Sequence, residues 1–261
     1  MSGLLSERVA LVTAAGSGMG RASAERFAQE GATVVVVDLD RDAAERTVSE
    51  IEQAGGKAIA EVCDVANVEQ LRGVFNRVEQ KFGILHVLFN HAGIPGAAGL
   101  EDVSEADWHH AIDVNMKSAW FGTALGIPLL RRADGKGSII YTASTSGLVG
   151  STMSPLYSMA KGGIVNFARG AALALAKDRI RANVICPGPI DTPMLPQFFG
   201  RTPEQMAQAK ENMAEFMAAA VPMARAGDPT EIAGAALFLA SDLSSYVTGI
   251  ALPVDGGYTA R

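Results

Sequence analysis

Tyr157 and Lys161 stand at i and i+4 in the stretch Tyr157-Ser158-Met159-Ala160-Lys161. On a helix those positions share a face, so the phenol and the ammonium project together. A phenol normally titrates near 10, and a neighbouring cation stabilises its anion. The pair is therefore a candidate general acid or base near neutral pH. Ser144 lies just beyond an apolar run that ends at Thr142, and its hydroxyl can hydrogen-bond the oxygen that exchanges a proton with Tyr157. Alone, Tyr-x-x-x-Lys is usually a surface pair; the upstream sequence makes chance a poor account.

That upstream sequence is a glycine-rich turn. The apolar run Val9–Thr13 leads into Ala14-Ala15-Gly16-Ser17-Gly18-Met19-Gly20 and then into a helical pattern. Glycines let the backbone turn sharply and approach a pyrophosphate, while the helix N-terminus offers free N–H groups and a positive dipole end. Gly16, Ser17, Gly18, Met19 and Gly20 are thus candidate dinucleotide contacts. A bare glycine turn is weak evidence, but the next strand ends in Asp38, placed to accept the hydroxyls of an adenosine ribose. The same carboxylate repels a 2′-phosphate. No Lys or Arg occupies the glycine turn or the Leu39 position, and Arg41 stands beside Asp38 and Asp40. The predicted cofactor is NAD rather than NADP.

Positioning these groups requires a regular scaffold. Short β-branched runs alternate with helical patterns, which predicts βαβ units, a parallel sheet and a Rossmann-like, doubly wound α/β fold in a single domain. The expected strands are Arg8–Thr13, Thr33–Asp38, Ala58–Val62, Val87–Asn90, Ser138–Thr142, Arg181–Cys186 and Ile250–Val254. Helices are expected over Met19–Glu30, Arg41–Gln53, Val68–Phe82, Glu105–Arg132 (broken) and Pro155–Ala176. Thr202-Pro203-Glu204-Gln205 and Asp228-Pro229-Thr230-Glu231 each carry the signature of a helix start. Residues 189–225, rich in Met, Phe and Pro, interrupt the alternation and read as a loop and helix forming a lid. Met153, Met194 and Phe198 flank the candidate chemistry and are expected to line a substrate pocket; Met206, Met213 and Met217 are expected to pack.

Composition removes several alternatives. The 261 residues are 48% hydrophobic and 19% charged, enough for a substantial core. A net charge of −6 without a basic cluster argues against nucleic acid or an anionic membrane as partner. Met1–Thr13 lacks the basic flank and apolar stretch of a signal peptide, so a cytoplasmic protein is expected. The two cysteines, Cys63 and Cys186, end the third and sixth strands, about 24 Å apart by strand spacing, and are read as buried hydrophobes. The four histidines show no metal-ligand spacing, and no Gly-x-Ser-x-Gly elbow makes Ser144 a hydrolytic nucleophile.

The chain as a whole resembles the short-chain dehydrogenase/reductase family. The likeness rests on the turn at Thr13–Gly20, Asp64-Val65, Asn90-His91-Ala92-Gly93, Asn115, Ser144, Tyr157, Lys161, Pro187-Gly188 and Asp255-Gly256-Gly257, in that order. It implies that Tyr157 exchanges the substrate proton, Ser144 orients the substrate oxygen, Lys161 holds the nicotinamide ribose and lowers the tyrosine pKa, and Asn115 anchors a water behind Lys161. It further implies that Asp64 and Val65 contact adenine, that Asn90, Ala92, Gly93, Pro187 and Gly188 line the dinucleotide, and that Ile190 and Thr192 meet the carboxamide. The reaction implied is interconversion of a secondary alcohol and a ketone, in a homotetramer paired through helices near Asn115–Arg132 and Pro155–Ala176. The face Ala168, Ala171, Ala172 and Leu175 suits such contact or packing within one subunit. Two positions depart from the pattern: Ala14 stands where glycine is usual, and His91 where asparagine is usual. Two rival readings are an NADPH-dependent 3-oxoacyl-carrier-protein reductase and a non-catalytic dinucleotide-binding regulator.

Overall fold

Strands that read as almost continuous apolar runs need cover on both faces, and the computed structural model provides it. It describes residues 3–96, 99–101, 103–151, 154–200 and 202–260. Seven parallel strands, β1 (Val9–Thr13), β2 (Thr33–Asp38), β3 (Lys57–Val62), β4 (Val87–Asn90), β5 (Ser138–Thr142), β6 (Arg181–Pro187) and β7 (Ala251–Val254), assemble in the order β3-β2-β1-β4-β5-β6-β7. Alternate side chains divide between two cores. Leu11, Val35, Leu88, Ile139 and Tyr141 face one helical layer; Val12, Val34, Val36, Phe89 and Ile140 face the other. Burial of each such side chain contributes about 1.5–3 kcal/mol.

The first layer is α3 (Val68–Phe82), α5 (Ser118–Arg131) and α6 (Pro155–Leu175); the second is α1 (Gly18–Gln29), α2 (Arg41–Gln53) and α9 (Pro229–Ala240). Asp40 and Asn67 cap α2 and α3 through their side chains, and Asp228 with Glu231 closes a capping box on α9, as its sequence predicts. The long helix expected over Glu105–Arg132 divides into α4 (Glu105–Ile112), a π-turn (Asp113–Lys117) and α5. Ala168, Ala171, Ala172 and Leu175 are all buried in the subunit's own core, so α6 spends its small-residue face internally. No helix among the described residues is long and apolar enough to cross a membrane.

Between β6 and α9 the chain leaves the regular alternation. It forms a 3₁₀ turn (Leu195–Phe198), α7 (Pro203–Glu211) and α8 (Met213–Ala220); Leu195, Met217 and Val221 make a small cluster, with Phe199, Met213, Ala226 and Tyr258 against it. Both ends of this excursion are tied together. Ile190 bridges Gly227, with Asp191 N donating to Gly227 O at 2.9 Å and Gly227 N to Pro189 O at 2.9 Å.

The strand order reverses between β1 and β4, which opens a crevice at the carboxyl edge of the sheet. There the turn after β1 puts Ala14 at φ +52°, a left-handed conformation in which a Cβ is strained. Ala14→Gly should stabilise the protein by up to about 1 kcal/mol, since the strain relieved exceeds the added chain entropy. Thermal unfolding should show it as a rise of roughly 2–4 °C; an unchanged or lowered melting temperature would mean the methyl group repays its strain by packing.

Candidate active site

The carboxyl ends of β1, β4, β5 and β6 and the start of α1 converge on one cavity of about 150 Å³. Ser17, Gly18 and Met19 form one wall, with Gly93 beside them. Ser144, Tyr157 and Lys161 form a second, and Pro187, Gly188, Ile190 and Thr192 a third. Met194 and Phe198 close the mouth. Ala14 and His91, the two departures from the family pattern, also line the cavity, and the sequence reading missed Thr142, Ala143, Pro193 and Leu195 as wall residues. For Thr142 a signal existed, since it shares strand parity with Ser144. Met153 lies outside the described residues.

The turn fits a dinucleotide. Ser17 precedes α1 without a side-chain cap, which leaves the N–H groups of the first turn free for an anion. Side chains are excluded on this surface: a Cβ on Gly20 would stand 2.1 Å from Ala14 O, and one on Gly16 2.8 Å from Asp38 Oδ2. Gly16 N donates to Asp38 Oδ2 at 2.8 Å, and Asp40 N to Asp38 Oδ1 at 3.0 Å, so the carboxylate is fixed beside the turn. Arg41 pairs with Glu45 at 3.5 Å. Asp64 sits past β3, accepting from Ala66 N at 2.9 Å, next to buried Val65. Thr13 Oγ1 accepts from the N–H groups of His91 and Ala92 at 2.9 and 3.0 Å, which fixes the strand end that carries Asn90 and Gly93. Gly16, Gly20, Asp38, Asp64, Val65, Asn90, Ala92 and Asn115 are not among the residues that line this cavity.

The candidate acid–base group enters from the first turns of α6. Ser154 caps that helix and Pro155 opens it, which sets Tyr157 and, one turn later, Lys161 on the face towards β5. Tyr157 is 9% exposed and its hydroxyl is hydrogen-bonded to the Ser144 side chain. Ser144 Oγ also accepts from Ser146 N at 3.1 Å. Lys161 is 2% exposed; its Nζ donates to Thr142 O at 3.0 Å and lies 5.5 Å from the centre of the Tyr157 ring. Desolvation pulls the Lys161 pKa from 10.5 to about 8. The expectation that Lys161 lowers the tyrosine pKa needs correcting for this arrangement. Burial drives the Tyr157 phenol above its ordinary value, and only the Ser144 hydrogen bond opposes it, because the ammonium is turned towards Thr142. Asn115, in the π-turn, holds the neighbouring loop, with Nδ2 donating to Ile94 O at 3.0 Å and to Ala111 O at 2.9 Å, and Oδ1 accepting from Ile94 N at 3.2 Å. The glycine at Gly93 is required by both groups: a Cβ there would lie 2.8 Å from Asn115 Oδ1 and 2.9 Å from Lys161 Nζ.

The sequence and the fold match known proteins. The family described as enoyl-(acyl carrier protein) reductase matches residues 13–259. A cyclohexanol dehydrogenase of Acinetobacter sp. (strain SE19) is 37% identical over 262 residues, covering 100% of this chain and 98% of that protein. A 3-oxoacyl-[acyl-carrier-protein] reductase of Thermotoga maritima is 36% identical, covering 97% and 98%. Among solved structures, levodione reductase superposes with a TM-score of 0.92 at 32% identity, covering 98% of this chain and 99% of that one. A 7α-hydroxysteroid dehydrogenase complexed with NADH and 7-oxo glycochenodeoxycholic acid gives 0.87 at 34%, covering 97% and 94%. The chain belongs to the short-chain dehydrogenase/reductase family. It is an oxidoreductase that acts on CH–OH groups with a nicotinamide dinucleotide, NAD or NADP.

The buried ammonium has a signature in stability. Between about pH 8 and 10.5 the folded chain has released the Lys161 proton while the unfolded chain still holds it. Stability rises with pH wherever the unfolded state binds more protons. The wild-type protein should therefore gain stability relative to Lys161→Met across that window, and the gain should be complete above it. Melting temperatures of both proteins at either end of the window check this; a constant difference, or one favouring the variant at high pH, contradicts the burial argument.

Proposed function

We propose that the protein is an NAD-dependent dehydrogenase that interconverts an uncharged, cyclic or medium-chain secondary alcohol and its ketone, using Tyr157, Ser144, Lys161 and Asn115. The observation that carries the cofactor choice is the Asp38 carboxylate, fixed beside the glycine turn, with Arg41 at the start of α2 paired with Glu45. A 2′-phosphate there would meet a negative charge. A bound nicotinamide would supply the hydride acceptor for the alcohol carbon, and its reduced form the hydride donor for the ketone.

The chain's own residues manage the proton and the geometry. Ser144 donates to the substrate oxygen and orients it towards the Tyr157 hydroxyl. Tyr157 takes the alcohol proton in oxidation and gives it back in reduction. Lys161 binds the cofactor ribose and supplies positive charge near the phenolate, while Asn115 anchors a water that resupplies the proton. The adenosine end is held by Asp38, Asp64, Val65 and Asn90, the pyrophosphate by the Gly16–Gly20 turn, and the nicotinamide end by Gly188, Ile190 and Thr192.

Residues 189–225 act as the lid. Their separate small core and pinned neck support movement as a unit, and the cavity is smaller than the 300–1,000 Å³ typical of ligand sites. Met194, Leu195 and Phe198 present an apolar surface to the substrate, and Met153 is proposed to join them. The carrier-protein reductase reading has support from the Thermotoga maritima relative. Against it, Arg131 and Arg132, the candidate docking cations, are paired with Asp178 and Glu79 at 2.9 and 2.6 Å. We further propose a homotetramer in the cytoplasm, its contacts made by exposed Trp120, Met159 and Leu173 on α5 and α6. Sedimentation as a monomer at micromolar concentration, or fractionation outside the cytoplasm, would refute that part.

A panel of secondary alcohols assayed at 340 nm should give NAD-linked turnover at least about tenfold more efficient than NADP-linked turnover, with cyclic alcohols ahead of sugar acids. Preference for NADPH and acyl-thioester ketones would replace this reading with the reductase. Tyr157→Phe should lower kcat by about 10²–10⁴ and leave NADH binding intact; turnover retained in that variant would refute the mechanism.

A further inference from the structure

His91 occupies a position that none of these roles uses, yet it is tied into the site from three sides. Its backbone N–H shares Thr13 Oγ1 with Ala92 N–H, which locks the end of β4 to the end of β1. Its ring packs against Phe89 at 5.2 Å between centroids, and a Cβ on Gly20 would stand 2.8 Å from its Cδ2, so the ring is wedged against the first turn of α1. Its Nδ1 lies 2.8 Å from Thr142 Oγ1. Thr142 is also the residue whose carbonyl receives the Lys161 ammonium at 3.0 Å. One residue at the end of β5 therefore carries both bonds, one through its hydroxyl and one through its backbone.

We propose that His91 is a positioning residue for Lys161, acting through Thr142: the ring holds the Thr142 side chain, and with it the carbonyl that fixes the ammonium. The inference rests on the reading of Lys161 as part of the reaction machinery. Charge is consistent with it. Burial pushes the His91 pKa down to about 3, with a smaller contribution from the Lys161 charge. The imidazole is thus neutral wherever the enzyme works and keeps one donor and one acceptor nitrogen. A neutral hydrogen-bonding ring can steer the ammonium without repelling it. An asparagine places an amide near the same Nδ1 position and serves the same purpose; a phenylalanine keeps the packing and loses the bond.

The test uses the full chain with His91→Phe, His91→Asn and Thr142→Val. The first readout is acylation of Lys161 by acetic anhydride in the NAD-free protein, followed by mass spectrometry across a pH series. The second is kcat against NADH affinity. In His91→Phe, acylation should accelerate by about tenfold and kcat should fall by about tenfold to a hundredfold, the scale expected for a misplaced reacting group. Its NADH dissociation constant should stay within about threefold, and His91→Asn should lie near wild type in both readouts. Thr142→Val cuts the same link from the other side and should match His91→Phe, with the double variant no worse than either. It also carries the test if His91→Phe folds poorly. Acylation rates in His91→Phe and Thr142→Val equal to wild type would overturn the inference and leave the ring as packing. If acylation accelerates but the wild type turns over no alcohol, the inference stands and the proposed function fails.

Discussion

The site depends on a buried charge. Lys161 places an ammonium at the carboxyl edge of the sheet, 2% exposed, held by the Thr142 carbonyl rather than by a carboxylate. Removing such a group from water costs several kcal/mol, and a lone carbonyl repays only part of that. The arrangement persists because two large apolar cores clamp β5 and α6 around it. Gly93 and Gly147 follow from the same demand. A Cβ on Gly93 would collide with Nζ, and one on Gly147 would stand 2.7 Å from the Lys161 backbone. Stability given up at one point leaves a charge held on the Thr142 carbonyl, 5.5 Å from the centre of the Tyr157 ring.

The two halves of the cavity differ in mechanical character. The cradle for the dinucleotide is built from strand ends and turns pinned by the side chains of Thr13, Asp38 and Asn115, which leaves the first N–H groups of α1 for the anion. The opposite wall belongs to a segment with its own small core, reached through a neck at Ile190 and Gly227. Phe198 reaches from that segment to Tyr157, ring edge to ring face at 5.2 Å. A rigid cradle and a separately packed cover suit a reaction that positions one ligand tightly and exchanges the other.

Much of this was legible in the sequence because the determining forces are local. The apolar runs of β2, β4 and β5 and the periodicity of α2 and α3 predict those elements at their observed bounds. The glycine turn, Asp38 and the Tyr157–Lys161 spacing specify their own placement at strand ends and on one helix face. What sequence could not show depends on distant partners. The π-turn at Asp113–Lys117 accompanies the Asn115 bonds to the Ile94 loop, and no local propensity encodes it. His91 reads as a tolerated loop substitution or a contact at the pocket floor, and only Thr142, on another strand, shows what its ring bonds. The upward shift of Tyr157 was missed because spacing shows that Lys161 shares a face, not that its ammonium turns to a backbone carbonyl.

The central claim is that one buried phenol governs proton transfer. The pH dependence of kcat/KM for alcohol oxidation with NAD tests it most directly, since that quantity reports the ionisation of the free enzyme's essential base. The account predicts a rise of about tenfold per pH unit, set by a single deprotonation, with any plateau only in the alkaline range. A profile that is flat or falling from neutral to alkaline pH would contradict it.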